Sequence, residues 1–399
     1  MRIAYVVSGL TTSMTFVVNE MQAHEDAGWK ILPLISCRKY KFENLSLLML
    51  KWNQKSLFRA SQLLMFLCFL KTLIASPIKT AKVFCWLCGL LLVSVTEFMK
   101  AVYEFLPAFY YSQICNAKNI EHLHVHFASR SLSLGIMISI LTEKPVSCTV
   151  HAFDIFTRLA TSLRYRLRKC KFVATISQYN MDYLRENCGD DVAGLCHIVH
   201  CGIDMNKFSS EKRKSTGVKM VAVARLTPKK GFDYAIKACA ELKKANINFR
   251  YDIIGGGEEY EQLCSLIEAN DIEGNVFLHG PKNNDEVRDF LKEASLFLMP
   301  CITLPDGDMD GIPVAMMEAM SCGIPVVSTD ISGIPELIKH GYNGWMVPEK
   351  DVNALVGILR YLLQNYGELT IAGENATKYI QEEFNIKKNA QKLRGLISE

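Results

Sequence analysis

At the start of the chain, short unbroken apolar runs flank a stretch whose apolar positions recur at helical spacing. Arg2–Val7 and Lys30–Ile35 read as strands, and Ser13–Ala27 between them reads as a helix closed by Gly28. Strand-length runs return at His122–His126, Val146–Val150, Phe172–Ser177 and His197–His200. The second half repeats the theme at Val218–Val223, Phe249–Ile254, Val276–His279, Leu296–Met299 and Pro325–Ser328, with helical patterns over 232–245, 258–269, 284–293 and 313–321. Continuous apolar strands separated by amphipathic helices predict parallel sheets covered on both faces. The pattern running twice predicts an α/β chain of two Rossmann-like, doubly wound domains facing across a cleft, with ligand at the carboxyl ends of the strands. Gly202–Gly217, polar and basic around Ser209–Lys214, has a linker's composition and puts the boundary near 205–215. The expected domains are 1–205 and 206–399, with the last helix a candidate to cross back to the first domain.

The stretch 44–118 interrupts the first domain with an apolar and basic helical insertion. Its longest uncharged run, Val83–Thr96, has 14 residues, short of the ~20 that a spanning helix needs. From 51 to 100 there are seven Lys or Arg and one acid, and Arg158, Arg164, Arg166, Arg168, Lys169 and Lys171 follow with no acid between 155 and 181. Apolar helices edged with cations suit a surface lying against an anionic leaflet. The competing reading is a pair of core helices with a solvated basic face.

Composition adds limits. Of the 399 residues 49% are hydrophobic and 22% charged, with no repeat at a solenoid period, which is a globular balance. A net charge of +4 does not imply a nucleic-acid partner. Fourteen cysteines are scattered through the chain, and the start runs directly into a strand without a leader-peptide pattern, so free thiols in a reducing cytoplasm are expected. Cys85-Trp-Leu-Cys88 has no second pair at zinc spacing and reads as structural.

The chemistry concentrates between 305 and 326. A helix beginning at Pro313 and stopping at Gly323 leaves the amides of Val314 and Ala315 free to favour an anion. Glu318 lies four residues after Val314 on the same face, and Asp310 stands just before the helix. Asp306-x-Asp308-x-Asp310-Gly311 imitates half of a calcium loop, but its twelfth position is Met317 and Pro313 falls inside it, so no metal is assigned. A second element places Arg225 and Lys230 on the loop after the strand ending at Val223, where cations suit a diphosphate. Gly255-Gly-Gly257 lacks the dinucleotide spacing and reads as a strand-to-helix turn. His124 and His126 share one strand face with no third metal ligand evident.

Taken together, Arg225-Leu-x-x-x-Lys230-Gly231, Ile253-Ile-Gly-Gly-Gly-Glu258, Val276-Phe-Leu-His-Gly280, and the run from Asp310 through Glu318 to Ala319-Met-x-Cys-Gly-x-Pro-Val-Val327 resemble family 4 of the retaining GT-B glycosyltransferases. The likeness is strongest to bacterial exopolysaccharide, colanic acid and lipopolysaccharide transferases. Phe16-Val-Val-Asn-Glu20, His124-Val-His-Phe-Ala128 and His151-Ala-Phe-Asp154 match more loosely. The resemblance implies a GT-B fold and transfer of a hexose from a nucleotide-diphosphate sugar, a UDP-sugar first and GDP-mannose next, to a glycan or lipid-linked oligosaccharide. It assigns Arg225 and Lys230 to the diphosphate, and Asp310, Gly311, Ile312, Val314, Ala315 and Glu318 to the donor, with Glu318 on the ribose. His151 becomes an active-site residue near the donor sugar, and Thr12, Ser13 and Asp154 fall on the acceptor side. The family has Glu where Asp310 stands, one methylene longer. No cofactor and no metal are implied, and the chain is expected in the cytoplasm, on the inner face of the cytoplasmic membrane where the insertion touches lipid. Rival readings are a sugar-nucleotide epimerase of the same fold, a non-catalytic sugar-nucleotide binder, and a dinucleotide-dependent oxidoreductase. The last would need a glycine-rich loop near Ser8–Thr15, which holds a single glycine.

Overall fold

The computed structural model describes residues 1–11, 14–37, 46–205 and 218–399. Thr12, Ser13 and most of the expected linker lie outside the described residues. The chain divides into two compact units, Met1–Gly202 with Ile386–Glu399, and Ile203–Asn385.

The first unit runs β1 (Arg2–Val7), α1 (Thr15–Asp26), β2 (Lys30–Ile35), α2 (Leu47–Lys55), α3 (Gln62–Ala75), α4 (Pro77–Val93), α5 (Val95–Val102), α6 (Phe105–Ala117), β3 (His122–His126), α7 (Arg130–Thr142) and β4 (Val146–Val150). It continues through α8 (Phe153–Phe156), α9 (Ala160–Leu167), β5 (Val173–Thr175), α10 (Gln178–Cys188), α11 (Asp190–Ala193) and β6 (Cys196–Ile198). The strands form one parallel sheet in the order β2-β1-β3-β4-β5-β6. Every residue of β3 and β4 is buried, as expected of strands covered on both faces. The histidines of β3 are tolerated there because β4 supplies hydroxyls. Ser147 bonds His122 Nε2 at 2.7 Å and His124 Nδ1 at 2.8 Å, and Thr149 bonds His124 Nε2 at 3.0 Å.

The insertion is α2 to α6. Of α3 only Met65 and Cys68 are buried. Leu63, Phe66, Leu67 and Ile74 (83% exposed) stand out from α3, and Ile78, Phe84 and Leu92 (89% exposed) from α4. Pro77, lacking an N–H, starts α4 at a bend of 114° from α3. Among the described residues no single helix is long and apolar enough to cross a membrane, but α3 and α4 together meet that length and composition.

Of the second basic stretch at 158–171, Arg164, Arg168, Lys169 and Lys171 are exposed, whereas Arg158 and Arg166 are turned inward. Arg166 is 0% exposed and donates to the carbonyls of Ala128 (2.9 Å), Ser129 (3.0 Å) and Ser162 (3.1 Å). Glu97, the lone acid of 51–100, is buried and gathers Lys100 (2.7 Å), Arg158 (2.9 Å) and Arg166 (3.4 Å) around it. Arg164 and Arg168 both pair with Asp191, at 3.2 and 2.9 Å. A buried carboxylate demands such partners, and Arg158 and Arg166 answer that demand at Glu97, while Arg164 and Arg168 stay at the surface beside Asp191.

The second unit runs β7 (Lys219–Val223), α12 (Phe232–Lys244), β8 (Arg250–Ile254), α13 (Tyr260–Ala269), β9 (Val276–Leu278), α14 (Asn284–Glu293), β10 (Leu296–Leu298), α15 (Val314–Ser321), β11 (Val326–Thr329), α16 (Ile334–Leu337), β12 (Gly344–Val347), α17 (Val352–Gln364) and α18 (Tyr366–Glu383). Its parallel sheet has the order β9-β8-β7-β10-β11-β12, reversing direction between β7 and β10. The final helix, α19 (Ile386–Ser398), belongs to the first unit. Its one apolar face buries Leu393 and Ile397 in a cluster with Val17, Met21 and Trp52, each such burial contributing ~1.5–3 kcal/mol.

Candidate active site

In an open parallel sheet, ligands sit beyond the carboxyl ends of the strands where the order reverses. In the second unit that point lies past Val223 of β7 and Leu298 of β10. Beyond Val223, the Ala224 N–H donates to Ile254 O and the Leu226 N–H to Gly256 O, both at 3.0 Å, so the chain runs alongside Gly255–Gly257. A Cβ on Gly255 would lie 1.8 Å from Ala224 O, and one on Gly257 2.1 Å from Leu226 O. The glycine triplet is thus a brace that lets the loop carry Arg225 outward, exposed. The sequence pattern showed only a turn there; the contact depends on strand adjacency.

Pro228–Lys230 forms a 3-10 turn stopped by Gly231 at φ 66°. A Cβ on Gly231 would lie 2.0 Å from Pro300 O, so the turn sits directly on the chain leaving β10. Lys230 Nζ meets Asp310 Oδ2 at 2.5 Å, while Lys229, not singled out from the sequence, reaches Asp308 at 3.0 Å and Asp310 at 3.6 Å. Burial works against the Asp310 carboxylate, but the charges of Lys230 and then Lys229 outweigh it and hold the pKa below the ordinary aspartate value. Burial likewise opposes the Lys230 ammonium, and Asp310 more than restores it, raising the pKa. Cys301, whose Sγ lies 3.8 Å from Asp310 Oδ2, is pushed up to about 12 by burial and then by that carboxylate, so its thiol donates.

Pro313 corrects the expected helix start: it is the N-cap of α15, with φ −66° and ψ 124°, and the first helical residue is Val314. The reason is that its extended ψ lets its carbonyl, not its ring, open the helix, accepting from the Met316 N–H at 3.1 Å. The amides of Val314 and Ala315 make no hydrogen bond among the described residues. Gly311 and Ile312 are buried beneath them, and Glu318, half-buried, follows one turn along α15. Arg225, Lys230, Asp310, Gly311, Ile312, Val314, Ala315 and Glu318 therefore all lie on the segments that follow β7 and β10.

His151 and Asp154 belong to the first unit, just past β4. His151 is 7% exposed, and burial drives its pKa well below the ordinary histidine value, leaving the ring neutral. Asp154 is 1% exposed. Its carboxylate accepts from the amides of Ala128 (2.7 Å), His151 (3.0 Å) and Ala152 (3.1 Å), so it shapes the loop that carries His151. The third group missing beside His124 and His126 in the sequence is Glu20 of α1: ligand atoms of the three lie within 4.8 Å of one another. That spacing could hold a metal, yet each atom is already hydrogen-bonded within the protein.

Two parallel six-stranded sheets with helices on both faces define a GT-B fold of two Rossmann-like domains. The fold is shared, for example, with the solved structure of Anabaena HepE in complex with UDP-glucose, at a TM-score of 0.71 and 16% identity over 100% of this chain and 99% of that one. Residues 204–379 match the family of glycosyl transferases group 1. The chain is 44% identical over 191 residues to the amylovoran biosynthesis glycosyltransferase AmsK of Erwinia amylovora, covering 47% of each. It is 43% identical over 203 residues, 50% of each, to WcaL of Salmonella typhimurium, assigned as a glycosyltransferase of colanic acid biosynthesis. The match thus spans about half the length of these relatives.

Proposed function

We propose that the protein is a retaining glycosyltransferase that moves a hexose from a nucleotide-diphosphate sugar to a lipid-linked glycan in the assembly of a surface polysaccharide. The observation that carries this is the pairing of Lys229 and Lys230 with Asp308 and Asp310 beside two unbonded helix-start amides. Paired charges of this kind can change partners. An incoming diphosphate takes Lys230, Arg225 and the amides of Val314 and Ala315, and frees Asp310 to accept hydrogen bonds from sugar hydroxyls. Glu318 accepts from the ribose.

As the bond between the anomeric carbon and the phosphate oxygen lengthens, negative charge grows on the leaving diphosphate, and the same cations and amides stabilise it. The acceptor oxygen bonds to that carbon on the face the phosphate leaves, and its proton passes to the departing phosphate oxygen. This keeps the anomeric configuration without a carboxylate nucleophile. His151 serves the reaction as a neutral ring, with Asp154 as its positioning residue. A UDP-hexose is the first donor to test, in keeping with the UDP-glucose named for HepE, and GDP-mannose the second.

The acceptor's lipid is reached through the outer faces of α3 and α4, whose exposed apolar side chains are accompanied by Lys71, Lys79 and Lys82. Each cation near an anionic leaflet contributes ~1 kcal/mol. The decisive experiment measures UDP or GDP release with and without a lipid-linked oligosaccharide. Acceptor-dependent release with a lengthened glycan is expected; altered free sugar without acceptor would instead mark an epimerase.

A further inference from the structure

A chain of hydrogen bonds links the core of the first unit to His151, and the proposed chemistry does not use its inner members. Tyr5 Oη donates to Glu20 Oε1 at 2.7 Å, and His126 Nε2 lies 3.1 Å from the same oxygen. His126 Nδ1 lies 3.2 Å from His151 Nε2, and Cys201 Sγ lies 3.9 Å from His151 Nδ1. The His151 ring is also clamped. Phe16 and Phe127 stand at centroid distances of 4.8 and 4.5 Å, and His126 stacks on it at 5.4 Å. Phe127 holds φ 72°, an unfavourable left-handed conformation for a bulky residue, at the turn that delivers this clamp.

With the ring's orientation fixed, what remains to be set is which nitrogen carries the proton. Three of the four contacts decide it. Glu20 Oε1 already accepts from Tyr5 Oη, and as a carboxylate it only accepts. A His126 ring with a single proton must then donate it from Nε2 and accept at Nδ1, which requires a proton on His151 Nε2. Cys201 gives the same answer from the other side: burial keeps its thiol protonated, and it donates to a lone pair on His151 Nδ1.

We infer that Glu20 and His126 are positioning residues that lock His151 in the tautomer protonated at Nε2, the role a buried carboxylate–histidine pair performs when it orients a working side chain. The inference rests on the reading of His151 as part of the reaction. The test combines nitrogen-15 NMR of the histidine side chains with steady-state kinetics on the full chain, for the natural protein, Glu20→Gln and His126→Phe. His151→Gln identifies the His151 signals. The natural protein should show His151 protonated at Nε2. Both variants should show a mixture of tautomers and a kcat lower by about 10- to 100-fold, as for removal of a catalytic orienting group, with donor KM unchanged. Glu20→Gln is nearly isosteric and carries the test if His126→Phe fails to fold. A His151 protonated at Nδ1 in the natural protein, an unaltered tautomer in Glu20→Gln, or an undiminished kcat there would overturn the inference. Full activity in His151→Ala would remove His151 from the reaction instead, while the NMR result would still decide the lock.

Discussion

Beyond β7 and β10 the second unit gathers ionised groups, Lys229, Lys230, Asp308 and Asp310, and leaves Arg225 exposed beside them. In α1, along β3 and just past β4 the first unit gathers imidazoles, and burial drives four of them neutral. Burial pushes His24 and His122 down to about 4, and His124 and His151 well below the ordinary value. The two units thus surround their polar groups in opposite ways. An ionic cluster can trade internal partners for a charged ligand, whereas a buried neutral network holds one geometry and cannot. The first suits binding of a diphosphate, and the second suits holding a ring in place.

The contrast can be broken most severely by Lys230→Ala, which removes a donor to the leaving group and leaves Asp310 with Lys229 at 3.6 Å. Turnover should fall by about 100- to 1000-fold, read by nucleotide release. Glu318→Ala should cost ~1.5–3 kcal/mol of donor affinity, that of a hydrogen bond to a charged group, read by calorimetry. On the neutral side, Arg166→Met should destabilise the first unit by ~3–5 kcal/mol, because Glu97 loses a buried partner. Arg164→Ala, at the surface, should cost under ~1 kcal/mol by the same chemical denaturation.

Acid should separate the units. The folded pKa values of His24 and His122 lie below the ordinary 6.5. The unfolded chain therefore binds more protons between pH 6.5 and 4, and stability present above 6.5 is lost as pH falls through that window, by at most ~3 kcal/mol per histidine. Asp310 is also depressed, but as an acid: its contribution is present above the unfolded value and disappears only below about pH 4. Trp29, Trp52 and Trp86 report on the first unit and Trp345 on the second, so fluorescence of Trp345→Phe follows the first unit alone. The smallest effect expected on catalysis is for Asp310→Glu, about tenfold in kcat/KM, because the longer acid must displace Lys230 from a contact of 2.5 Å. No loss would show that the site tolerates either acid.

β1, β2, β3 and β4 lie where the sequence placed them, because a strand-length run between helical patterns is a local signal even where histidines or hydroxyls interrupt it. β12 was not legible, since Gly344-Trp-Met-Val347 opens on glycine, a residue depleted in strands. Asp310, Lys230 and Glu318 were legible because helix-start and strand-end chemistry is local. Glu20 and His126 were not legible as partners, for 106 residues separate them and only the pairing of β1 with β3 brings them together. Arg166 misled for the same reason: a cation in a basic run looks solvated until the buried Glu97 is seen beside it.

The most direct measurement is calorimetric titration of UDP-hexose and GDP-mannose into the intact protein, Lys230→Ala and Glu318→Ala. The account expects one donor to bind at a single site, with affinity lowered about tenfold or more in each variant. Equal binding by all three proteins, or binding of neither donor, would contradict it.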